Sequence, residues 1–344
     1  MNLSDRKQRI LEAIVDSYVK TGEPVSSREI CRMLETTLSS ATIRNEMAEL
    51  TSLGLLEQPH TSAGRVPSHL GYRLYINNLM HKQPLPNQDR EMIDDALRSS
   101  LNDPDDLIEG ALEVLADLSK CAVISVLPVN KSMHVRSIQI VKISDHTGVI
   151  IIVTSGGNMR SKMFYSEIVL TDNIISICSE ILGKSFVGVE VEKLTRERIR
   201  LFANSLGDML IVMSPMLISL YEAISEIMSV SVKREGKLNL LFFSEFQNRD
   251  LAERVINFLD NDEDMVELLL KEQPNDTQVL IGHESNVEEL EDLSVIISKC
   301  ALSADDFGAI SIIGPIRMDY GKMISSLEYL SSMIEQLFKD IGDM

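Results

Sequence analysis

Two short capped helices separated by only four residues constrain the start of this chain more than any other feature in it. Ser26 and Glu29 in "SSRE" have the spacing of a capping box, and Ile30, Met33 and Leu34 form the stripe that such a helix buries. After "ETTL" a second start signal follows at Ser39, where Leu38 before the cap and Ile43 after it are spaced as a hydrophobic staple. Ile43, Met47, Leu50 and Leu53 then make one buried stripe, and Gly54 stops the helix. Two short helices joined by a tight turn are a helix-turn-helix, whose second helix can enter a DNA major groove about 12 Å wide.

The outer face of that second helix carries Ala41, Asn45, Ala48 and Ser52, with Arg44 at its flank. Short residues let a backbone approach base edges. Ala41 suits a thymine methyl, Arg44 the acceptors of guanine and Asn45 the edge of adenine. Ala41 and Ala48 would also suit a helix packed on both sides, so the flanking residues matter. An earlier helix opens at Ser4, buries Ile10, Leu11, Ile14, Val15 and Tyr18, and ends at Gly22 and Pro24. Downstream, "LLEQ" reads as a strand, "PHTSAG" as a tight loop and "RVP" as a returning strand, which together make a β-hairpin, or wing. Arg65, beside Gly64, can reach a phosphate or a narrow minor groove. Ser68 opens a last helix with Tyr72, Tyr75 and Leu79 on its buried side. The candidate DNA-binding residues are therefore Ser40, Ala41, Thr42, Arg44 and Asn45 on the helix, with His60, Thr61, Ser62 and Arg65 in the wing.

A net charge of −19 argues against a nucleic-acid partner until it is divided along the chain. Residues 1–80 hold nine Lys/Arg and nine Asp/Glu, so the whole −19 belongs to the rest. A neutral module precedes an acidic body. "NLMHKQPLPNQDRE" reads as a linker, and "DPDDLIEGALEVLADLSK" starts a helix with Asp103 as cap and Pro104 at its first position. Three β-rich runs follow, "CAVISVLPV", "VRSIQIVKI" and "GVIIIVTS". Three more come late, "QVLIGHE", "LSVIISKC" and "GAISIIGP". A largely helical stretch lies between them, with the strand-like "SKMFYSEIVL" and "KLNLLFFS" near its ends. Two clusters of strands around such a stretch predict one α+β domain interrupted by an insertion, with boundaries near Asn158 and Gln247. The final helix has Met323, Leu327, Leu330, Ile334 and Leu337 at steps of three and four, the pattern of a helix packed on the late sheet rather than of a long coiled coil.

Several chemistries have no sequence signature. Phosphate-cradling Walker loops, GxSxG elbows, HExxH helices and Cys/His clusters are missing, so the chain reads as a non-enzyme without a cofactor or metal. "TSGGN" reads as a hairpin turn and "DNDEDMVE" as a solvated helix start. Cys31, Cys121, Cys178 and Cys300 lie far apart, as expected of free thiols in a reducing cytosol. The start is polar, unlike a signal peptide, and no apolar run approaches the roughly 20 residues that span a bilayer, so the expected location is the cytoplasm, with no membrane partner.

"TGEPVSSREI", "LSSATIRNEMAELTSLGLLEQPHTSAGRVPSHLGYRLYI" and "IIGPIRMDYGKMISSLEYL" resemble the heat-inducible transcription repressor HrcA family, in order and over the whole length. The segment Gly314 to Tyr320 is among the most specific parts of the resemblance, and its "MDY" reads as a helix-start packing motif with Asp319 as cap. The resemblance implies an α+β multidomain protein: a winged helix-turn-helix domain (1–80), a linker (81–103), and a GAF-like α+β domain in two parts (104–157 and 248–344). A mainly helical dimerisation domain (158–247) would be inserted between those parts. It further implies a homodimer on an inverted-repeat operator of double-stranded DNA before chaperone operons, kept active by the GroE chaperonin. A small-molecule-sensing regulator that uses the GAF-like domain is the alternative. An enzyme with an appended DNA-binding module is the third class, and it has no catalytic constellation to support it.

Overall fold

A computed structural model describes residues 3–34, 39–60, 63–99, 104–128, 133–270, 277–301 and 307–342. The chain opens with α1 (Asp5–Thr21), α2 (Ser27–Met33), α3 (Ser40–Ser52), a minimal hairpin of β1 (Leu56–Glu57) and β2 (Val66–Pro67), and α4 (His69–Leu74), which continues into a π-helical turn, Tyr75–Leu79. Ile10, Leu11, Ile14, Val15, Ile30, Ile43, Met47 and Leu50 share one core. Ser26 and Ser39 cap as their spacing predicts, accepting from the amides of Glu29 and Thr42. Ser4 stands at the first cap without a side-chain bond. The capping box is half formed, because Glu29 accepts a hydrogen bond from Ser17 instead of reaching back to its own helix start. Two residues of the expected stripes face outwards: Met33 is 45% exposed, and Leu53, past the last turn of α3, is 37% exposed. Leu38 and Asp103 lie outside the described residues.

The linker reading is corrected. Residues 81–103 contain α5 (Asn87–Ser99), which buries Ile93 and Leu97 and packs against α6 (Pro104–Ser119). The helix is amphipathic, but it is so rich in charged and polar residues that its two buried apolar positions are easily read as part of a polar linker.

Next along the chain come β3 (Ala122–Leu127), β4 (Val135–Lys142), β5 (Thr147–Thr154), β6 (Met159–Tyr165), α7 (Asp172–Phe186), α8 (Arg196–Ser205), α9 (Leu210–Ile227) and β7 (Ser231–Glu235). The chain closes with α10 (Arg249–Asp260), α11 (Asp262–Leu270), β8 (Gln278–Ile281), β9 (Leu293–Ala301), β10 (Phe307–Pro315) and α12 (Tyr320–Gly342). A five-stranded antiparallel sheet has the order β7-β3-β10-β9-β8. Val123, Ile296, Ile310 and Ile312 point to the side covered by α6 and α12. Ala122, Ile124, Val126 and Ile313 point to the side covered by α10, α11 and the 3-10 segment Lys237–Phe242. Covered on both faces, β3 is buried at every position. Asp319 caps α12 as expected, accepting from the Lys322 amide at 3.1 Å, and Met323, Leu327, Leu330 and Ile334 are buried.

The sheet partners differ from the sequence expectation. β4 and β5, expected beside β3, pair instead with β6 in a separate antiparallel sheet of order β4-β5-β6. Helices α7 and α9 cover one face of it, and Ile138, Ile150, Ile152, Leu182, Met216 and Leu220 form part of its own core. The chain therefore leaves the five-stranded sheet after Leu127 and returns at Ser231, not near Asn158 and Gln247. The returning strand is the polar "SVKRE", and "KLNLLFFS" is 3-10 helical rather than extended. Gly207–Ile227 is long and apolar enough to cross a membrane by length and composition, but its inner face, including Met213, Met216 and Leu220, is buried in this second core.

Candidate nucleic-acid interface

The recognition surface starts from how α3 is held. Ser39 Oγ accepts from the Thr42 amide at 3.1 Å, and the hydroxyls of Ser27 and Ser40 share a hydrogen bond of 2.9 Å that ties the starts of α2 and α3 together. On the inner side, Glu46 is buried against Arg6 and Lys7, and Lys7 also reaches Glu49 at 2.8 Å. A carboxylate on the buried stripe is unusual because desolvation opposes its charge, and two cations from α1 compensate for it here. Sequence reasoning missed Glu46. Its i, i+3 position relative to Ile43 was the available signal.

This clamp leaves Ala41, Arg44, Asn45, Ala48 and Ser52 exposed, with Ser40 and Thr42 half-buried at the helix start. Among the described residues Arg44 makes no ion pair, so its guanidinium is available to a base edge. The wing lies beside α3. Leu56 pairs with Pro67 and Glu57 with Val66, and Val25 joins the hairpin base through a two-way backbone bridge to Arg65, both bonds 2.9 Å. Gly64 permits that bridge: a Cβ there would overlap the Val25 carbonyl oxygen and lie 2.5 Å from its carbon. Arg65 is half-buried, and its Nε donates to Thr51 Oγ1 at 3.0 Å, which fastens the wing to the last turn of α3. His60 is exposed at the wing; Thr61 and Ser62 lie outside the described residues. The structure thus brings Ala41, Arg44 and Asn45 onto one open face, and it gives Arg65 an anchoring bond that its position in the sequence did not reveal.

Elsewhere the chemistry is quiet. Among the described residues no three His, Cys, Asp or Glu side chains gather to hold a metal. Burial pushes the Cys121 and Cys300 thiols up to about 12, so neither is a nucleophile at neutral pH. "TSGGN" is the turn between β5 and β6, with the Gly157 amide donating to the Thr154 carbonyl.

Residues 2–79 match the family described as a winged helix-turn-helix transcription repressor, HrcA DNA-binding, and residues 105–324 match the HrcA protein C-terminal domain. The chain is 32% identical over 340 residues to the heat-inducible transcription repressor HrcA of Acetivibrio thermocellus, covering 98% of this chain and 96% of that one. It is 35% identical over 339 residues to the protein of the same name from Ruminiclostridium cellulolyticum, covering 98% and 97%. A crystal structure of a hypothetical protein shares the fold with a TM-score of 0.73 at 22% identity, covering 99% of this chain and 100% of that one. An open, small-residue face on a capped helix, a wing fastened beside it and these full-length likenesses lead to one conclusion: the chain belongs to the HrcA family of heat-inducible transcription repressors and carries that family's winged-helix DNA-binding domain.

Proposed function

We propose that the protein acts in the cytoplasm as a homodimer, binds an inverted-repeat operator before chaperone operons, and is kept active by the GroE chaperonin. The observation that carries the reading is the exposed face of Ala41, Arg44 and Asn45 beside an anchored wing. Arg44 reads a guanine, Asn45 an adenine, and Ala41 packs on a thymine methyl. Arg65, with Nε committed to Thr51 and Nη1 directed to the Gly64 carbonyl at 3.4 Å, offers its remaining Nη2 to the phosphate backbone, and His60, exposed at the wing, contacts DNA together with Thr61 and Ser62.

A domain with as many acidic as basic residues has little electrostatic hold on DNA, so two linked copies on two half-sites supply the affinity. The three-stranded sheet offers the dimer surface. On its uncovered face Val141, Val149 and Met163 lie side by side in register, and Met163 and Tyr165 are 68% and 66% exposed. An apolar face of this kind on a soluble domain is an interaction site. The inserted domain of residues 133–228 is thus the dimerising unit, and the five-stranded sheet with its helices is the GAF-like body. Footprinting of the purified protein on the DNA upstream of its own chaperone operons tests the reading. Protection of two symmetric half-sites supports it, and uniform or absent protection refutes it. Refolding with and without chaperonin, scored as operator-competent dimer, tests the GroE dependence, and equal yields refute it.

A second reading rests on a cleft of about 480 Å³ between the π-helical turn, β8 and α12, lined by residues including Arg73, Lys82, Glu284 and Glu328. As a ligand pocket it would make the protein a small-molecule sensor. Its cations already pair, Arg73 with Glu284 and Lys82 with Glu328, which favours the repressor reading without a ligand.

A further inference from the structure

The Ile316–Tyr320 stretch joins the end of β10 to α12 and contributes nothing to the DNA-reading face. Its side chains fill the joint between the winged domain and the body. Tyr320, 1% exposed, donates its hydroxyl to the Ile316 carbonyl at 2.6 Å and shares a hydrogen bond of 2.7 Å with Ser294. Its ring lies 6.0 Å from that of Tyr72 on α4. Arg317 grips Glu245 with two bonds, Nε to Oε1 at 2.6 Å and Nη2 to Oε2 at 3.3 Å, and its guanidinium lies 5.4 Å from the centre of the Phe243 ring. Burial, the largest single influence, raises the Glu245 pKa, but the hydrogen bonds and charge of Arg317, with a backbone amide and the Ser244 hydroxyl, together outweigh it and hold the carboxyl below its ordinary value, so the pair is charged at neutral pH.

The same guanidinium abuts the winged domain. Gly22, the left-handed cap of α1, has φ of 69°, and a Cβ there would lie 3.4 Å from Arg317 Cζ. One planar cation is therefore held between a carboxylate, an aromatic face and the C-terminal end of α1, whose helix dipole favours positive charge. Three residues beyond Gly22, Val25 forms the backbone bridge to Arg65. The body thus touches the chain just before the strand that supports the wing. Two flanking contacts limit translation of the domain. Arg73 binds Glu284 and donates to the Val279 carbonyl at 2.7 Å, and the rings of His69 and His283 stack at 5.8 Å.

We propose that Arg317 is a positioning residue for DNA recognition: clamped by Glu245, it fixes the end of α1 against the body and so sets the angle at which α3 and the wing are presented. In the dimer on an inverted repeat, on which this inference rests, that angle sets the distance between the two reading heads. A pair that served stability alone would leave the preferred half-site spacing untouched.

The test uses the full-length protein, with Arg317→Met and Glu245→Gln as separate variants. The second is nearly isosteric and guards against a fold defect in the first. The probes are the footprinted duplex, a duplex carrying one half-site, and the footprinted duplex with five base pairs inserted between its halves. Both variants are expected to bind the single half-site within about twofold of the parent. They should lose about tenfold on the paired site and show a smaller penalty for the insertion, because the avidity of linked heads depends on geometry. Variants that keep the parent's paired-site affinity and spacing preference overturn the positioning role alone. A parent that gains nothing from the second half-site overturns the dimeric reading and this inference with it.

Discussion

Gly64→Ala tests the wing at its tightest point. The added Cβ would meet only backbone: the Val25 carbonyl oxygen, its carbon at 2.5 Å and the Pro24 carbonyl carbon at 2.8 Å. Backbone at that distance cannot rotate away as a flexible side chain can, so the Val25–Arg65 bridge must open. Its two hydrogen bonds of 2.9 Å contribute about 1 kcal/mol each, and the Arg65–Thr51 bond, displaced with them, about 1 more. Roughly 3 kcal/mol is a large part of the about 5–15 kcal/mol by which a domain is stable. Loss of the bridge alone, about 2 kcal/mol, corresponds to about thirtyfold faster amide exchange at Val25 and Arg65, since 1.4 kcal/mol is tenfold. Hydrogen exchange on the full-length variant reads this directly, with peptides from the second core, such as those in α7, as an internal control. Exchange within about twofold of the parent at both amides, with operator affinity unchanged, would refute the argument that this glycine is required by close approach.

Other outcomes follow from the site and the joint. Arg44→Ala should cost about 1–3 kcal/mol of operator binding and relax base preference at one position, whereas Arg65→Ala should weaken all sequences alike and lower the salt slope by about one; competition binding over a salt series separates the two. Thr51→Val should reproduce part of the Arg65→Ala loss, because it removes the anchor and leaves the charge; unchanged affinity would show that the anchor is idle. Met163→Glu places a charge on the uncovered sheet face, on its edge strand β6, and should shift sedimentation from dimer to monomer with the fold intact. The Glu245 carboxyl, held below its ordinary pKa by Arg317, contributes stability that is present above the unfolded-state value and lost as pH falls through the lower folded value. Acid denaturation of Glu245→Gln should lack that component, and parallel curves for variant and parent would count against the pair.

The winged domain was legible because its signals are local. Ser26, Ser39 and Gly22 act within one helical turn, and the small face of α3 is a property of one helix. Leu53 and Glu46 mark where this fails: a stripe counted from apolar residues alone keeps the leucine and skips the carboxylate, yet the buried stripe is Ile43, Glu46, Met47 and Leu50. The body was half legible. β3, β8, β9 and β10 stand where their runs predict, but which strands pair is a long-range property that composition does not encode. A usable clue was present. "GAISIIGP" is apolar apart from a buried Ser311, as suits a strand covered on both faces, whereas "VRSIQIVK" alternates, as a strand covered on one face does. That contrast marks β4 as a strand covered on one face, but it fails for β5, whose "GVIIIV" is as apolar as a two-faced strand although only alternate residues are buried. β7 gave no such clue, since "SVKRE" pairs through its backbone at a sheet edge with its side chains half exposed. The role of Arg65 as an anchor was hidden because its partner Thr51 lies across the hairpin.

The apolar core that holds Ile10, Ile14, Leu50 and Tyr72 runs without interruption into Ile93, Leu112, Ile312 and Leu327. Head and body therefore belong to one cooperative unit: the α5–α6–α12 layer cannot melt without stripping the packing from beneath α1 and α4. For a heat-inducible repressor this has a thermal meaning. On the proposed function, opening of this shared core would remove the support of α3 and release the operator in one transition, in which the separate core beneath the three-stranded sheet need not take part. The steepness of the response with temperature is then set by the enthalpy of that single transition, which grows with the number of residues that melt together.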